Sequence, residues 1–387
     1  MTTQRDTLCV TLLVVTFAAC TAPAAAYPPD NAAVLYYRAF MLYEPDQSTN
    51  SMRDDYWHGQ IELNETLEAY LTKNQRVIDM VLDATRIDRC DWGLDYSQGT
   101  EVVLPPHHKA RDIFFLVAAE ATMQANKGHH KKALQRCVAM YRMARHLNER
   151  PIICYLVGTA VTAATHKCAT RFLSEMPLET ETLTWLQAEL NEFDKRPFSI
   201  EPALAWKREA AIISMSPERI DNAVETGLDD GDAKTLIRKR IRGADPQFYT
   251  ANVTYWNNFM DRIEAAFDLP YARAYAELGK LDKRPWEEFE MNPEATLTVC
   301  FAPPLQRIYS LSVRLKAQSN ALRAAVAVYL SRARTGGLPE ALPAHVPTDP
   351  FSGRPFEYTR TEDGFVLQCR GRELSKDEVY TFEFKVK

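Results

Sequence analysis

Residues 107–148, HHKARDIFFLVAAEATMQANKGHHKKALQRCVAMYRMARHLN, contain two apolar-rich segments on either side of Lys127-Gly128. The spacing of the apolar residues predicts one helix over 107–126 and a second over 129–148. A turn this short forces the two helices to lie antiparallel. A third helix is predicted over 151–174. This stretch therefore favours a mainly helical fold.

The predicted turn has a sequence of its own. Residues 128–134, GHHKKAL, resemble the hairpin turn of tetratricopeptide repeats. A small residue such as Ala133 lets two helices approach closely. No second copy follows at a fixed period, so we expect one tetratricopeptide-like hairpin and no repeat array.

The helical pattern extends over most of residues 27–300, which we expect to form an irregular helical bundle. Further helical segments are predicted at 60–83, 179–195, 201–214 and 250–280. Residues 84–106 look irregular. The acidic stretch 229–232, DDGD, lacks the alternating ligands of a calcium loop and is interpreted as a linker.

Residues 301–387 have a different pattern. A long helix is predicted over 305–334 and ends at Gly336-Gly337. Two strands joined at Asp363-Gly364 follow, and the final residues alternate between apolar and polar. This pattern predicts a small antiparallel sheet with one apolar face, covered by the long helix.

The segment 347–356, PTDPFSGRPF, joins this helix to the sheet. Its three prolines keep it out of the interior of the sheet, because proline has no amide donor. Asp349 before Pro350 favours a turn, and Ser352-Gly353 supplies a bend. We interpret the segment as a rigid corner, anchored by two phenylalanines.

The N-terminal 26 residues have the pattern of a signal peptide. The apolar run LCVTLLVVTFAA, at 8–19, is followed by small residues. We expect cleavage before Tyr27; the alternatives are a lipid anchor at Cys20 and a buried N-terminal helix. No later stretch is expected to span a membrane. The prediction is an extracytoplasmic protein, periplasmic or secreted.

Composition excludes some partners and cofactors. The chain has 387 residues and a net charge of −5, so it has no global basic field to attract nucleic acid. The cysteines have no CxxC or zinc-ligand spacing. No phosphate loop or dinucleotide fingerprint is present, and we predict no cofactor and assign no catalytic or metal-binding residue.

One group of residues is a candidate binding site. It comprises Cys90, Asp91, Trp92, His107, His108 and His146. The antiparallel hairpin brings the three histidines to one end, near the irregular loop. They are consistent with a metal site completed by Asp91, or with a thiol–imidazole pair of Cys90 and His107. In the structural alternative, Trp92 packs the loop onto the bundle.

The C-terminal segment resembles type II secretion pseudopilins, which place a turn rich in proline and glycine between a helix and strands. The matching residues are Pro347, Asp349, Pro350, Gly353, Pro355, Tyr358, Gly364 and Phe365. The pseudopilin calcium loop is replaced here by RGRELSKDEVY, at 370–380, so the resemblance implies no calcium site.

Most of the chain after residue 26 also resembles a group of uncharacterised secreted proteins of planctomycete-type bacteria, through the segments 90–121 and 133–161 and the corner. That resemblance implies a location and an architecture but no reaction. Together these features favour a non-enzymatic binding or scaffold protein of the cell envelope with a protein partner. The alternatives are a hydrolase or metal-binding enzyme using the region of Cys90, Asp91, His107 and His146, and a pseudopilin-like component of secretion assembly.

Overall fold

The computed structural model describes residues 30–104, 106–148, 150–196 and 198–386, with the side chains of 106–108 left aside. The predicted signal peptide and Cys20 lie outside the described residues. Within them the chain is mainly helical, with a small antiparallel sheet near its C-terminus, as predicted.

The helices begin with four short ones and continue into the predicted hairpin. They are α1 (Ala32–Leu42), α2 (Gln47–Trp57), α3 (Glu65–Lys73), α4 (Gln75–Ala84), α5 (Pro106–Asn126), α6 (His130–Leu147), α7 (Ile152–Glu175), α8 (Thr180–Lys195), α9 (Glu201–Ser214), α10 (Ile220–Gly227), α11 (Asp232–Arg242), α12 (Pro246–Phe267), α13 (Tyr271–Glu288), α14 (Thr298–Phe301) and α15 (Leu305–Thr335). Two 3₁₀ turns, Tyr96–Glu101 and Pro293–Ala295, interrupt the loops.

The predicted hairpin is confirmed. Helices α5 and α6 pack along each other, and α7 packs against both. Gly128 makes the turn with a φ of 78°, which glycine adopts without the steric cost that other residues meet. Ala133 is fully buried where the helices meet.

The segment 60–83 is not one helix but two, α3 and α4. Asn64 starts α3 by accepting a hydrogen bond from the Leu67 amide. Asn74 ends it with φ −91° and ψ 8°, and its side-chain amide donates to the carbonyl of Tyr70. Asparagine competes with the backbone in this way, which explains the break. The predicted linker 229–232 joins α10 to α11, as expected, and its last residue begins α11.

The strands β1 (Glu357–Arg360), β2 (Gly364–Gln368) and β3 (Thr381–Lys385) form the predicted antiparallel sheet, with β2 in the centre. Phe365 lies opposite Phe384, and both are buried. Tyr329 of α15 packs its ring against both and donates its hydroxyl to the Lys385 carbonyl at 2.6 Å. The long helix therefore covers the sheet, together with α7, whose Ser174 hydroxyl accepts a hydrogen bond from the Lys385 amide.

The corner between helix and sheet is built around Asp349, which is fully buried. Its carboxylate accepts hydrogen bonds from the amide of Phe351 and the hydroxyl of Ser352. It also accepts from the amides of Arg370 and Gly371, at 2.9 and 2.8 Å. Asp349 thus joins the corner to the chain after β2, which the turn pattern alone does not predict.

Helix α7 lies in the core that all these elements share. By length and composition it could cross a membrane, which corrects the expectation that no stretch after the N-terminus could do so. More than half of its apolar window is buried, against α6, α9, α15 and β3 among others. Such burial is typical of the core helix of a folded domain.

Candidate functional site

The predicted Trp92–His146 region is an aromatic cluster that joins the loop to the bundle. The Trp92 indole donates to the His146 carbonyl at 2.7 Å and stacks on Phe40. The His146 Nδ1 atom lies 3.0 Å from the Tyr36 hydroxyl. Burial and then the charge of Arg145 lower the pKa of His146 to about 4, so its imidazole is neutral at pH 7.

The other predicted site residues lie around this cluster. Cys90 is half-buried and lies close to Tyr36. Burial raises the pKa of the Tyr36 hydroxyl, and the nearby Cys90 raises it further. Asp91 is exposed; it accepts from the Gly93 amide and pairs with Arg89 at 3.3 Å. His107 and His108 lie in the first turn of α5, but their side chains lie outside the described residues.

The structure brings Trp92 and His146 together, and Trp92 packs the loop onto the bundle, as in the structural alternative. The contact is a packing contact in which the indole fixes the loop to the end of α6. No group of three or more histidine, cysteine or acidic side chains among the described residues is arranged to hold a metal ion.

A different part of the bundle encloses a cleft of about 840 Å³. We call it the His166 cleft. Its walls are formed by helices α6, α7, α8, α9, α12 and α15 and by the segments around 198–200 and 268–271. The apolar side chains lining it are Tyr141, Tyr155, Leu190, Phe193, Phe198, Ile200, Leu204, Ala205, Phe267, Leu269, Pro270, Tyr271, Tyr309, Val313, Leu315 and Pro350. The volume lies within the range of known ligand pockets, roughly 300–1,000 Å³.

Two polar side chains of this lining are deeply buried. His166 of α7 and Tyr141 of α6 pack their rings 5.2 Å apart. Neither the Tyr141 hydroxyl nor the His166 Nδ1 atom has a hydrogen-bond partner of ordinary geometry among the described residues. Burial lowers the pKa of His166 to about 4, and an interaction with the Thr162 backbone acts in the opposite direction.

Charged side chains lie towards the exposed parts of the cleft. Among the described lining residues four are basic (Arg145, Arg196, Lys316 and Arg323) and four are acidic (Asp194, Glu201, Glu264 and Asp268). Arg323 pairs with Asp194 at 2.8 Å. Burial and then the neighbouring Arg196 charge lower the pKa of Arg145. The lining is therefore balanced in charge.

Neither His166 nor Tyr141 is a predicted site residue. The available signal was weak: His166 is one ionisable side chain within an otherwise apolar stretch of α7. Its neighbour Tyr141 lies 25 positions away on another helix. Which side of that helix faces α7 depends on how the helices pack, and the sequence pattern does not show it. The Cys90, Trp92 and His146 side chains line neither this cleft nor the second cavity described below.

Comparison with protein-family models, curated proteins and solved structures gives no match for this chain.

Proposed function

We propose that this protein is an extracytoplasmic binding protein that holds a neutral small molecule with an apolar body in the His166 cleft. The observation that supports it is the Tyr141 hydroxyl, a buried polar group with no hydrogen-bond partner of ordinary geometry among the described residues, beside His166 in a largely apolar cleft. Buried polar groups in native proteins almost always have a partner.

The charge balance of the cleft favours a neutral ligand. A strongly anionic molecule would meet four carboxylates, and a cationic one would meet four basic groups. The aromatic and aliphatic walls favour a ligand with an apolar surface, because the transfer of apolar surface out of water is favourable. A hydroxyl or carbonyl group on that ligand would pair with Tyr141 and His166.

Binding fits the arrangement better than catalysis does. A general base needs a proton donor or nucleophile within hydrogen-bond reach. His166 forms no hydrogen bond to a carboxylate or hydroxyl in the described part of the chain, and burial keeps its imidazole neutral at pH 7. It therefore serves as a fixed hydrogen-bonding group.

The proposed location rests on the N-terminal sequence, where the apolar run at 8–19 precedes small residues suited to signal peptidase. Mass spectrometry of the protein recovered from its native host tests it. A mature N-terminus at Tyr27, or a lipid on Cys20, supports export. Recovery of the intact chain from the cytoplasm contradicts it.

The binding proposal is tested with the purified protein and a neutral fluorescent probe, N-phenyl-1-naphthylamine. We expect saturable binding that Ala205→Trp weakens at least tenfold, because Ala205 lines the cleft and a large side chain there narrows it. Ala205→Ser, which keeps the volume, is the matched control. Native mass spectrometry of the purified protein then looks for a small molecule carried through purification.

Two results would overturn the proposal: no saturable binding by the wild type with no co-purified molecule, or equal binding by Ala205→Trp and Ala205→Ser in folded protein. Tyr141→Phe adds a finer test. It removes only the hydroxyl, so an apolar probe should bind as before while a hydroxylated competitor loses affinity.

The protein partner, the enzyme alternative and the secretion-assembly alternative stay predictions. The enzyme alternative has less support than the His166 cleft, because Nδ1 of His146 is engaged with Tyr36 and the cluster lines neither cavity.

A further inference from the structure

A second cavity, of about 330 Å³, lies where α13, α15 and the loop before β3 meet. We call it the basic pocket. Its lining residues are Tyr275, Gln306, Arg307, Ser310, Leu311, Arg314, Ser375 and Lys376. Three of these described residues are basic and none is acidic. The pocket therefore differs in character from the charge-balanced His166 cleft.

The pocket contains buried hydrogen-bonding atoms that have no partner of ordinary geometry among the described residues. Ser310 is 1% exposed, and its hydroxyl has no partner of ordinary geometry in the described part of the chain. The Tyr271 hydroxyl, which accepts from the Leu374 amide, is close enough to Ser310 to interact with it. The Nε atom of Arg314 is likewise buried without a hydrogen-bond partner.

Arg314 is held in place mainly by neighbours outside the pocket lining. Its guanidinium lies over the Tyr380 ring at 5.8 Å, and one terminal nitrogen is 3.8 Å from a carboxylate oxygen of Glu373. Glu373 is fully buried, and its other oxygen accepts from the amide and the hydroxyl of Ser375. This long ion pair leaves much of the guanidinium's donor capacity unused.

The carboxylates near the pocket do not cancel its charge. Asp282 accepts hydrogen bonds from the Leu305 and Gln306 amides, so its charge faces the start of α15. The described lining of the pocket itself contains three basic side chains, Arg307, Arg314 and Lys376, and no carboxylate. A ligand that complements this surface carries negative charge and accepts several hydrogen bonds.

We propose that the basic pocket binds a phosphate-type oxyanion, either free phosphate or the phosphate of a small monoester. Arginine presents a planar fork of donors that matches phosphate oxygens, and the Ser310 hydroxyl and the Lys376 ammonium add further donors. This inference rests on its own residues and is independent of the His166 cleft.

The test is thermal unfolding of the full chain, titrated with inorganic phosphate and with glycerol 3-phosphate, against chloride at equal ionic strength. We expect phosphate-dependent stabilisation, with an apparent Kd raised at least tenfold by Arg307→Gln and at least threefold by Ser310→Ala. Arg307 is exposed and Ser310 makes no well-formed bond, so both variants should fold. Arg334→Gln, about 30 Å further along α15 from Arg314, is the charge-matched control and should bind as the wild type does.

A larger shift with the monoester identifies the ligand as a phosphorylated metabolite or headgroup, and a larger shift with inorganic phosphate identifies the free ion. No stabilisation of the wild type beyond that in chloride overturns the proposal. Equal losses in Arg307→Gln and Arg334→Gln overturn it as well, because they would indicate attraction to the surface charge as a whole.

Discussion

The rings of Tyr141 and His166 lie 5.2 Å apart inside the bundle, yet neither the tyrosine hydroxyl nor the histidine Nδ1 atom has a hydrogen-bond partner of ordinary geometry in the described part of the chain. The pair joins α6 to α7 in the lining of the His166 cleft. Its burial has a measurable consequence, because the imidazole resists protonation while the protein is folded.

We predict that His166 makes the protein sensitive to mild acid. Burial lowers the folded-state pKa of His166 to about 4, whereas an unfolded histidine has a pKa of about 6.5. Between these values the unfolded state binds the proton first, so stability falls as the pH drops from 6.5 to 4. The expected loss from this residue between pH 7 and pH 5 is about 2 kcal/mol.

Urea unfolding of wild type and His166→Gln at pH 7 and pH 5 checks this prediction. The variant should lose less stability between the two pH values, because the glutamine does not titrate. The variant should keep the part of the pH-dependent stability loss that comes from His146, because the pKa of His146 is also lowered to about 4. An unchanged pH dependence in His166→Gln would refute the burial argument.

The helical hairpin and the sheet were predictable because their signals are local. Gly128 marks a turn between two periodic segments, and Asp363-Gly364 marks one between two alternating ones. The antiparallel hairpin predicts that His146 lies at the same end as the start of α5, whereas its contact with Trp92 depends on how the loop packs. The histidine's own partner, Tyr36, is 110 positions away and was not foreseen.

The His166 cleft was not predictable for a related reason. Its lining comes from at least six helices, and the periodicity of each shows an apolar face without showing which neighbour that face meets. A polar side chain on such a face looks like any other buried residue. Its missing partner becomes visible only when every packed element is in place.

We predict that Trp92→Phe destabilises the protein by about 1–3 kcal/mol. Trp92 is 4% exposed, and its indole provides the hydrogen bond to the His146 carbonyl that fixes the loop to α6. Phenylalanine keeps part of the stacking on Phe40 and leaves the carbonyl unpaired. Denaturant unfolding measures the loss.

The control for that prediction is Trp286→Phe. Because Trp286 is 46% exposed, its substitution should lower the free energy of unfolding only slightly. Equal stability of the two variants would show that the indole hydrogen bond is not what holds the loop.

We predict that Gly371→Ala is strongly destabilising for a change of one methyl group. A Cβ atom at Gly371 would lie 2.6 Å from the backbone carbon of Phe351, closer than any ordinary contact. The corner must shift to accept it, at an expected cost of about 1–3 kcal/mol. Gly337→Ala, where a Cβ meets no atom within 4 Å, should be close to neutral, and thermal unfolding compares the two.

The last prediction concerns Asp349, whose carboxylate is fully buried and accepts bonds from Phe351, Ser352, Arg370 and Gly371. In Asp349→Asn one carboxylate oxygen is replaced by an NH₂ group. This group is a donor, and it would face the N–H and O–H donors that the oxygen accepts from in the wild type. The expected loss is about 3 kcal/mol, since hydrogen bonds to a charged acceptor are worth about 1.5–3 kcal/mol each and unpaired amides are left behind. Urea unfolding of Asp349→Asn measures it, with the exposed Asp363→Asn as control. If the corner only turns the chain, both variants will lose little stability. If Asp349 holds the corner to the segment after β2, Asp349→Asn will lose much more stability than Asp363→Asn.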